Sequence, residues 1–459
     1  MTSPSNPHYE AVPNAIDTYR GLVGNVLQAP VIDETQLEIL GNELFRRRSE
    51  DLSTLSPVEQ ASMIVGKADT VLPESQLVEI LGRSQETGKP LEIKYGIDPT
   101  GADVHWGHAV PMLVLDRMQR MGHNITFVIG GMTAKIGDPS GRSSARPVLS
   151  NEQIQQNLTT YAQQVQPLFD MQKVRVVNNN EWLRDYPLDR LIDIALKVSS
   201  AMLLQREDFR TRMEAKAGLS LAEIMYPVVM ALDSQHLNPD IEVGGRDQFL
   251  NLQMCREVMR IAGQEPEVIV TTDILKGTDG TGAKMSKSIG NYIGLSDEPG
   301  QVFGKIMSIP DTLLGDYFKM LTELQADEWD QLAARMATDG INPMKIKMVL
   351  ASDIVAAVHG PEEAQKAKAQ FVTQFSARNY DKLSNVTQVI DPRGDVLSQL
   401  KALRNGASNS AIGRLLSQGG VQYIDEEGAR HKLSSIEEIS SLTSGHLKLG
   451  KTIVRLSTE

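Results

Sequence analysis

One stretch, from Leu91 to Gly131, leaves this chain few ways to fold: LEIKYGIDPTGADVHWGHAVPMLVLDRMQRMGHNITFVIGG. It opens with a short apolar run that reads as a strand, followed by a turn carrying Asp98, Pro99, Thr100 and Gly101. Apolar residues then fall at Val110, Leu113, Val114, Met118 and Met121, the i, i+3, i+4 spacing of a helix with a buried stripe. Gly122 stands where that helix would end, and ITFVIGG reads as a second strand closing on glycines. Two histidines flank Gly107 at the start of the helix, His105 and His108. Free backbone N–H groups and the helix dipole make that position suited to a phosphate.

A second unit of the same kind follows, IEVGGRDQFLNLQMCREVMRIAG, with a helix beginning near Asp247 and Gln248, and then the apolar run EVIVTTDIL. Two strand–glycine–helix units on either side of a helical insertion imply an α/β protein, a Rossmann-like parallel sheet split by that insertion. The insertion, near residues 150–235, reads as helices interrupted by a strand-like VRVVNNN. The turn-rich MTAKIGDPSGRSSARP leaves the carboxyl end of a strand, where open α/β sheets bind ligands, although a plain surface loop has the same composition. On the apolar segment Met225–Leu237, Tyr226, Met230 and Asp233 share one helical face. They could line a small-ligand pocket or simply belong to the core with Asp233 at a helix end. Lys284 and Lys287, in the glycine-rich GTDGTGAKMSKSIGNYIGL, suit a mobile loop closing over a polyanion, though two lysines also suit any solvated loop.

The remainder sets the domain plan. Residues 1–67 read as an N-terminal arm, helical around Glu34–Arg47, with no chemistry visible; residues 68–297 form the Rossmann-like domain. Residues 298–390 are helical, and 391–459 form a small α+β module with two short helices, a Gly-Gly turn and KLGKTIVRL as a closing strand. From Arg393 to Glu459 there are nine Lys/Arg against seven Asp/Glu, a local excess of positive charge in a chain of net charge −12. That reversal makes the module a candidate RNA contact, whereas the global charge argues against a protein that coats nucleic acid indiscriminately. The single cysteine, Cys255, excludes a disulfide framework and a cysteine-based zinc site. No apolar run approaches a membrane span, and the first residues lack the apolar core of a signal peptide, so a cytoplasmic location is expected.

In this order the motifs resemble those of class I aminoacyl-tRNA synthetases, and specifically bacterial tyrosyl-tRNA synthetases. His105-Trp106-Gly107-His108 is similar to the first class signature and Lys284-Met285-Ser286-Lys287-Ser288 to the second. YGIDPTGADVHWGH, IGDPSGR, MLLQREDF, the Tyr226–Asp233 helix, VGGRDQ and KMSKSIGNYIGL look like further segments of that family. The likeness runs from about residue 68 onward. It implies an enzyme that activates tyrosine with ATP, releases pyrophosphate, and passes the tyrosyl group to the 3′ end of tRNA(Tyr). Positioning and charge stabilisation would carry that catalysis.

The resemblance also assigns roles. Thr100, His105, His108, Lys284 and Lys287 would act on the phosphates. Asp98, Gly107, Gly245, Asp247, Gln248 and the segment Lys284–Ser288, with Met285 and Ser286, would hold ATP, which brings its own Mg2+; no dedicated metal site is implied. Lys94, Gly96, Asp98, Thr133, Asp138, Tyr226, Met230, Asp233 and Gln248 would hold the amino acid, Asp233 facing the phenol. Arg414, Lys448 and Lys451 would touch RNA, with residues 298–390 on the anticodon side. The resemblance implies a homodimer formed through the insertion, with no membrane and no DNA as partners. Three positions differ from the family pattern: Lys94 stands for a tyrosine, Met230 for a glutamine and Trp106 for an aliphatic residue. A relative activating another amino acid, such as a modified tyrosine or tryptophan, and a non-catalytic RNA-binding protein are the alternative readings.

Overall fold

The computed structural model describes residues 15–97, 104–138, 156, 159–161, 163–204, 207–215, 218–373, 389–404, 407–417, 420–424, 430–442, 444–449 and 452–457. Their contacts divide the chain into a unit ending at Gln365 and another beginning at Lys366.

The first unit opens with three helices, α1 (Ala15–Gln28), α2 (Glu34–Arg47) and α3 (Pro57–Val65). Asp33 caps α2 by accepting from the backbone N–H of Gln36 at 3.0 Å, and Ser56 with Glu59 forms a capping box on α3. Next come β1 (Thr70–Leu72), α4 (Glu74–Thr87), β2 (Glu92–Ile97), α5 (Trp106–Arg120), β3 (Asn124–Ile129) and the single turn α6 (Thr133–Ile136). The stretch Leu91–Gly131 is thus strand, helix, strand, as its periodicity predicts, with β2 and β3 parallel from Glu92↔Asn124 to Ile97↔Ile129. Gly122 follows α5 at φ +94°, a left-handed conformation that side chains with a Cβ rarely take.

The insertion then supplies β4 (Val174–Asn178), α7 (Asn180–Leu183), α8 (Leu188–Ala195), α9 (Ser200–Leu204) and α10 (Glu207–Glu214). After the long α11 (Leu221–Leu237), the second half is β5 (Ile241–Gly245), α12 (Phe249–Ile261) and β6 (Val268–Thr272). The sheet order is β1-β6-β5-β2-β3-β4, with β1 antiparallel to β6 and the others parallel. The halves meet at β2 and β5, so the carboxyl ends of these strands open onto one crevice. Two details differ from the sequence expectation. The sequence from Val71 to Leu81 reads as a helix start, with Pro73 early and Glu74 in the first turn; in the structure Val71 belongs to β1, whose three residues are too few to show a strand period, and α4 begins at Glu74. Asp247 and Gln248 lie in a 3-10 turn, Arg246–Gln248, and α12 starts one residue later. Val228, Ala231 and Leu232 of α11 pack with Leu252, Met254, Cys255 and Val258 of α12 in a core beside the sheet. Each large side chain among them contributes about 1.5–3 kcal/mol.

Five helices complete the unit: α13 (Pro299–Met307), α14 (Leu314–Leu321), α15 (Ala326–Asp339), α16 (Pro343–His359) and α17 (Pro361–Phe371), which crosses the boundary. α2 packs on α16, and α1 on α2 and α15. Charges are buried between them. Glu323 accepts from the Tyr19 hydroxyl at 3.0 Å and from Arg117 at 2.8 and 3.2 Å, with Arg120 at 3.3 Å. Arg47 grips Glu328 at 2.8 and 2.9 Å, and Arg48 meets Asp353 at 2.6 Å. Burial would push the Glu323 carboxyl up, but Arg117, Arg120, Arg48 and Lys67 outweigh it and hold the group far below the ordinary carboxylate range.

The second unit contains β7 (Val389–Ile390), α18 (Val396–Leu403), α19 (Asn409–Ser417), β8 (Val421–Ile424), β9 (Arg430–Lys432), α20 (Ile436–Ser440), β10 (His446–Leu449) and β11 (Thr452–Leu456). Its sheet runs β7-β11-β10-β8-β9 over a core that includes Val396, Leu400, Ile412, Leu447 and Val454. KLGKTIVRL, expected as one strand, is shared between β10 and β11, which pair antiparallel from Leu449↔Thr452.

Candidate active site

A cavity of about 190 Å³ opens at the carboxyl ends of β2 and β5, with room for about six waters. Lys94, Gly96, Thr133, Asp138, Tyr226, Met230, Asp233, Gly245 and Gln248 all line it. Nine positions spread over about 150 residues of sequence thus share one wall. Asp98 and Thr100, also expected here, lie outside the described residues.

Asp233, on α11, is 3% exposed. Its carboxylate accepts from Asn179 Nδ2 at 3.1 Å and from Trp182 Nε1 at 2.9 Å. Burial still dominates, pushing Asp233 up to about 6 against the pull of Lys94 and the two donors. Asn179 in turn donates to Thr133 Oγ1 at 3.1 Å and accepts from the Met132 N–H at 2.9 Å, and Trp182 stacks on His236. Asn179 and Trp182 follow β4 and were not among the sequence candidates. The run NNNEW at the end of a strand was the available signal.

Lys94 lines the cavity, but its ammonium is engaged elsewhere. It lies 2.7 Å from Glu242 and donates to Ser234 Oγ at 2.7 Å, with the Lys94 and Glu242 side chains each 1% exposed. Burial alone would depress this lysine, yet the charge of Glu242 wins and holds it above its ordinary value. The Ser234 hydroxyl sits 3.1 Å from Glu267, whose carboxyl is driven well up by burial and by Glu242. Glu242, Cys255 and Glu267 are close enough to suggest a metal cage, but the Lys94 ammonium already supplies the cation. Charged letters inside apolar strand runs, Lys94 in EIKYGI and Glu242 in IEVGG, were the sequence trace of this group.

At the mouth, Gln248 donates to Asp138 Oδ2 at 2.7 Å and accepts from Asn251 at 2.8 Å. A Cβ on Gly245 would stand 2.7 Å from Asp247 Oδ1, so any larger residue there would displace that carboxylate. Burial first, then Asp138, raises Asp247, and Lys284 opposes them; that places the lysine loop within electrostatic reach of the cavity.

The second group gathers at the start of α5. The His105 and His108 rings stack at 3.9 Å, and His108 Nδ1 accepts from the His105 N–H at 3.4 Å. Burial lowers His105 to about 3, helped by His108, Lys287 and Lys284; burial and the same two lysines lower His108 to about 4. Both rings are therefore neutral at pH 7 and offer N–H donors without a proton to exchange. His105 Nδ1 is buried without a hydrogen-bond partner among the described residues. Gly107 lies against this pair, where a Cβ would be 3.0 Å from the His105 ring and 3.7 Å from Met285 Cβ. Met285 is buried, whereas Lys284 and Ser288 are exposed and Ser286 and Lys287 half-buried. Trp106 is fully buried in the core, consistent with a large residue filling space there. In the second unit Arg414 is exposed on α19 and Lys448 half-buried on β10, while Lys451 lies outside the described residues.

Residues 85–376 match the family model for class I tRNA synthetases (W and Y). A tyrosine–tRNA ligase of Thermotoga maritima is 37% identical over 373 residues, covering 81% of this chain and 91% of its own. That of Carboxydothermus hydrogenoformans is 39% identical over 364 residues, 78% of this chain and 88% of its own. Among solved structures, a C-terminally truncated mitochondrial tyrosyl-tRNA synthetase of Aspergillus nidulans aligns with TM-score 0.54 at 22% identity, over 73% of this chain and 98% of that one. The tyrosyl-tRNA synthetase of Archaeoglobus fulgidus, complexed with L-tyrosine, aligns with TM-score 0.51 at 21% identity, over 68% and 99%. These two likenesses concern the fold.

Proposed function

The chain belongs to the class I tRNA synthetases of the W and Y group, and from that premise we propose how its residues charge tRNA with tyrosine. It is an aminoacyl-tRNA ligase, a tyrosine–tRNA ligase that uses ATP. A carboxylate oxygen of tyrosine attacks the α-phosphorus, the bond to the β-phosphate oxygen breaks, and pyrophosphate leaves. A terminal ribose hydroxyl of tRNA then attacks the carbonyl carbon, and AMP leaves with the bonding pair.

In this reading the phenol enters the cavity head first and donates to Asp233, whose ionised form Asn179 and Trp182 hold in place. Asp138 and Tyr226 flank the α-ammonium, and Met230 offers that end only an apolar wall. His105 and His108 donate to phosphate oxygens as neutral imidazoles, and Lys284 and Lys287 meet the charge that builds on pyrophosphate. Thr100 and Asp98, which follow β2 in sequence, would join them. Magnesium arrives with the nucleotide as part of the substrate. Arg414, Lys448 and Lys451 are the proposed RNA contacts, and residues 298–390 the anticodon side.

The proposed assembly is a homodimer, supported by an exposed apolar face on the insertion: Leu188 and Ile192 of α8 and Leu196, which caps its C-terminus, are spaced four apart and are 69%, 50% and 79% exposed. No described helix is long and apolar enough to cross a membrane, and the proposed location is the cytoplasm.

The observation that carries the reading is Asp233, a buried carboxylate kept as an acceptor at the end of an amino-acid-sized cavity. ATP–pyrophosphate exchange across a panel of amino acids tests it. Exchange is expected with tyrosine; exchange with another amino acid and none with tyrosine overturns the substrate, and no exchange with any overturns the activity.

A further inference from the structure

The proposed chemistry needs the lysine loop and the histidine helix to face the same phosphates, although about 180 residues separate them in sequence. The loop is rich in glycine and is held by its own backbone from Met285 to Leu275 at 2.8 Å and from Gly277 to Ala283 at 2.9 Å. Gly280, Gly282 and Gly290 take φ of +74°, +79° and +76°, and Lys284 and Ser288 project into solvent. The segment on its carboxyl side is anchored at both ends.

Asn291 is 3% exposed. Its Oδ1 accepts from the backbone N–H of Ser286 at 2.8 Å, and its Nδ2 donates to the Lys284 carbonyl at 3.3 Å and to Asp279 Oδ2 at 3.4 Å. Its own carbonyl accepts from the Thr278 N–H at 3.0 Å. One side chain therefore ties both arms of the loop together, donor and acceptor each used on backbone. Gly277 makes room for it, since a Cβ there would collide with the Asn291 amide. The next residue faces the chemistry: the Tyr292 ring lies 5.8 Å from Lys287 Nζ and 6.2 Å from the His105 ring. Beyond it, Ile293 accepts from the Trp106 N–H at 3.0 Å, Leu295 donates to the Val104 carbonyl at 3.0 Å, and Gly294 is bridged to His105. Residues 291–295 are thus bonded to the lysine loop at one end and to the first histidine at the other.

We propose that Asn291 is a positioning residue for the adenylation step: it clamps the Lys284–Ser288 loop to the segment that bridges to His105, setting lysines and histidines in register on the same phosphates. The clamp is polar and directional, so an isosteric change separates it from packing. Asn291→Asp keeps the acceptor for Ser286, removes the donor to Lys284, and sets a second carboxylate against Asp279. Adding Asp279→Asn supplies a donor in return.

The inference rests on the adenylation reading, and the experiment keeps the two apart. The wild type, Asn291→Asp, Asn291→Ala and Asn291→Asp/Asp279→Asn are compared in tyrosine-dependent ATP–pyrophosphate exchange, and the rate of tryptic cleavage after Lys284 and Lys287 is followed in each. Misplacing reacting groups by about 1 Å can cost about a hundredfold. The expected result is a tenfold to hundredfold fall in kcat for both single variants, KM for tyrosine within about twofold of wild type, faster cleavage in the loop, and recovery of at least half the lost rate in the double variant. Unchanged kcat, a rise in tyrosine KM in step with the fall in kcat, or no recovery in the double variant overturns the clamp. If the wild type itself shows no exchange, the adenylation reading fails, and equal cleavage rates in all four proteins would then overturn the clamp as well.

Discussion

Replacing Asp233 by asparagine should make the protein's stability less sensitive to pH while removing its use for tyrosine. Burial holds this carboxyl at about 6, against an ordinary value of 3.8. Because the folded value is the higher one, the group favours the folded state fully below about pH 4 and loses that contribution as pH rises through 6. Two pH units at about 1.4 kcal/mol each give about 3 kcal/mol lost by pH 8. Integrating between pH 5 and pH 7.5 leaves a change of about 1.4 kcal/mol from this one side chain. Asparagine has no such titration. The three tryptophans, Trp106, Trp182 and Trp329, all lie in the first unit, so their fluorescence during urea unfolding follows that unit alone. Wild-type stability minus that of the variant should fall by about 1.4 kcal/mol from pH 5 to pH 7.5. In parallel, kcat/KM for tyrosine in the wild type should drop below about pH 6, where the acceptor is lost, and not at the lower pH where the two histidines titrate. A stability gap independent of pH, or a kcat/KM flat down to pH 5, would show that Asp233 is not the buried acceptor inferred.

Glu323→Gln leaves Arg117 and Arg120 facing a neutral amide in a dry site; the first unit should lose about 3–5 kcal/mol in the same fluorescence assay, and a loss under about 1 kcal/mol would mean that the cluster is solvated. Leu196→Asp, at the exposed C-terminal end of α8, should convert the protein to monomers by light scattering at micromolar concentration, with helicity by circular dichroism unchanged; a retained dimer would move the interface elsewhere. Deleting residues 395–459, which carry a core of their own, should reduce tRNA charging at least tenfold more than pyrophosphate exchange; equal losses would remove the case for an RNA-binding module.

The features legible in the sequence were periodic or glycine-marked. The crossover from β2 through α5 to β3 and the α11 face with Tyr226, Met230 and Asp233 could be read because local spacing dictates which side of an element a residue occupies, whereas the two signature motifs were legible only through their resemblance to a family. Pairings between distant segments left no such trace. Nothing in NNNEW says that Asn179 and Trp182 will meet Asp233, and nothing in the strand letters says that Lys94 will choose Glu242 over the cavity. The first sixty-odd residues were the hardest case. A helix rich in arginine and glutamate has the composition of a solvated surface, and only tertiary packing reveals Arg47 as fully buried against Glu328.

The Glu323 cluster also bears on how such a chain can change over evolutionary time. The matched family region begins at residue 85, yet the carboxylate inside it is partnered by Tyr19, which precedes that boundary. Arg117 and Arg120 stand on the helix whose first turn presents His105 and His108. Once such charges are covered, the segment covering them becomes costly to discard, because its loss would return water to some of those ions and leave others half-paired within the fold. The leading helices are in this sense entrenched, a condition for the helix that presents His105 and His108 to keep its seat.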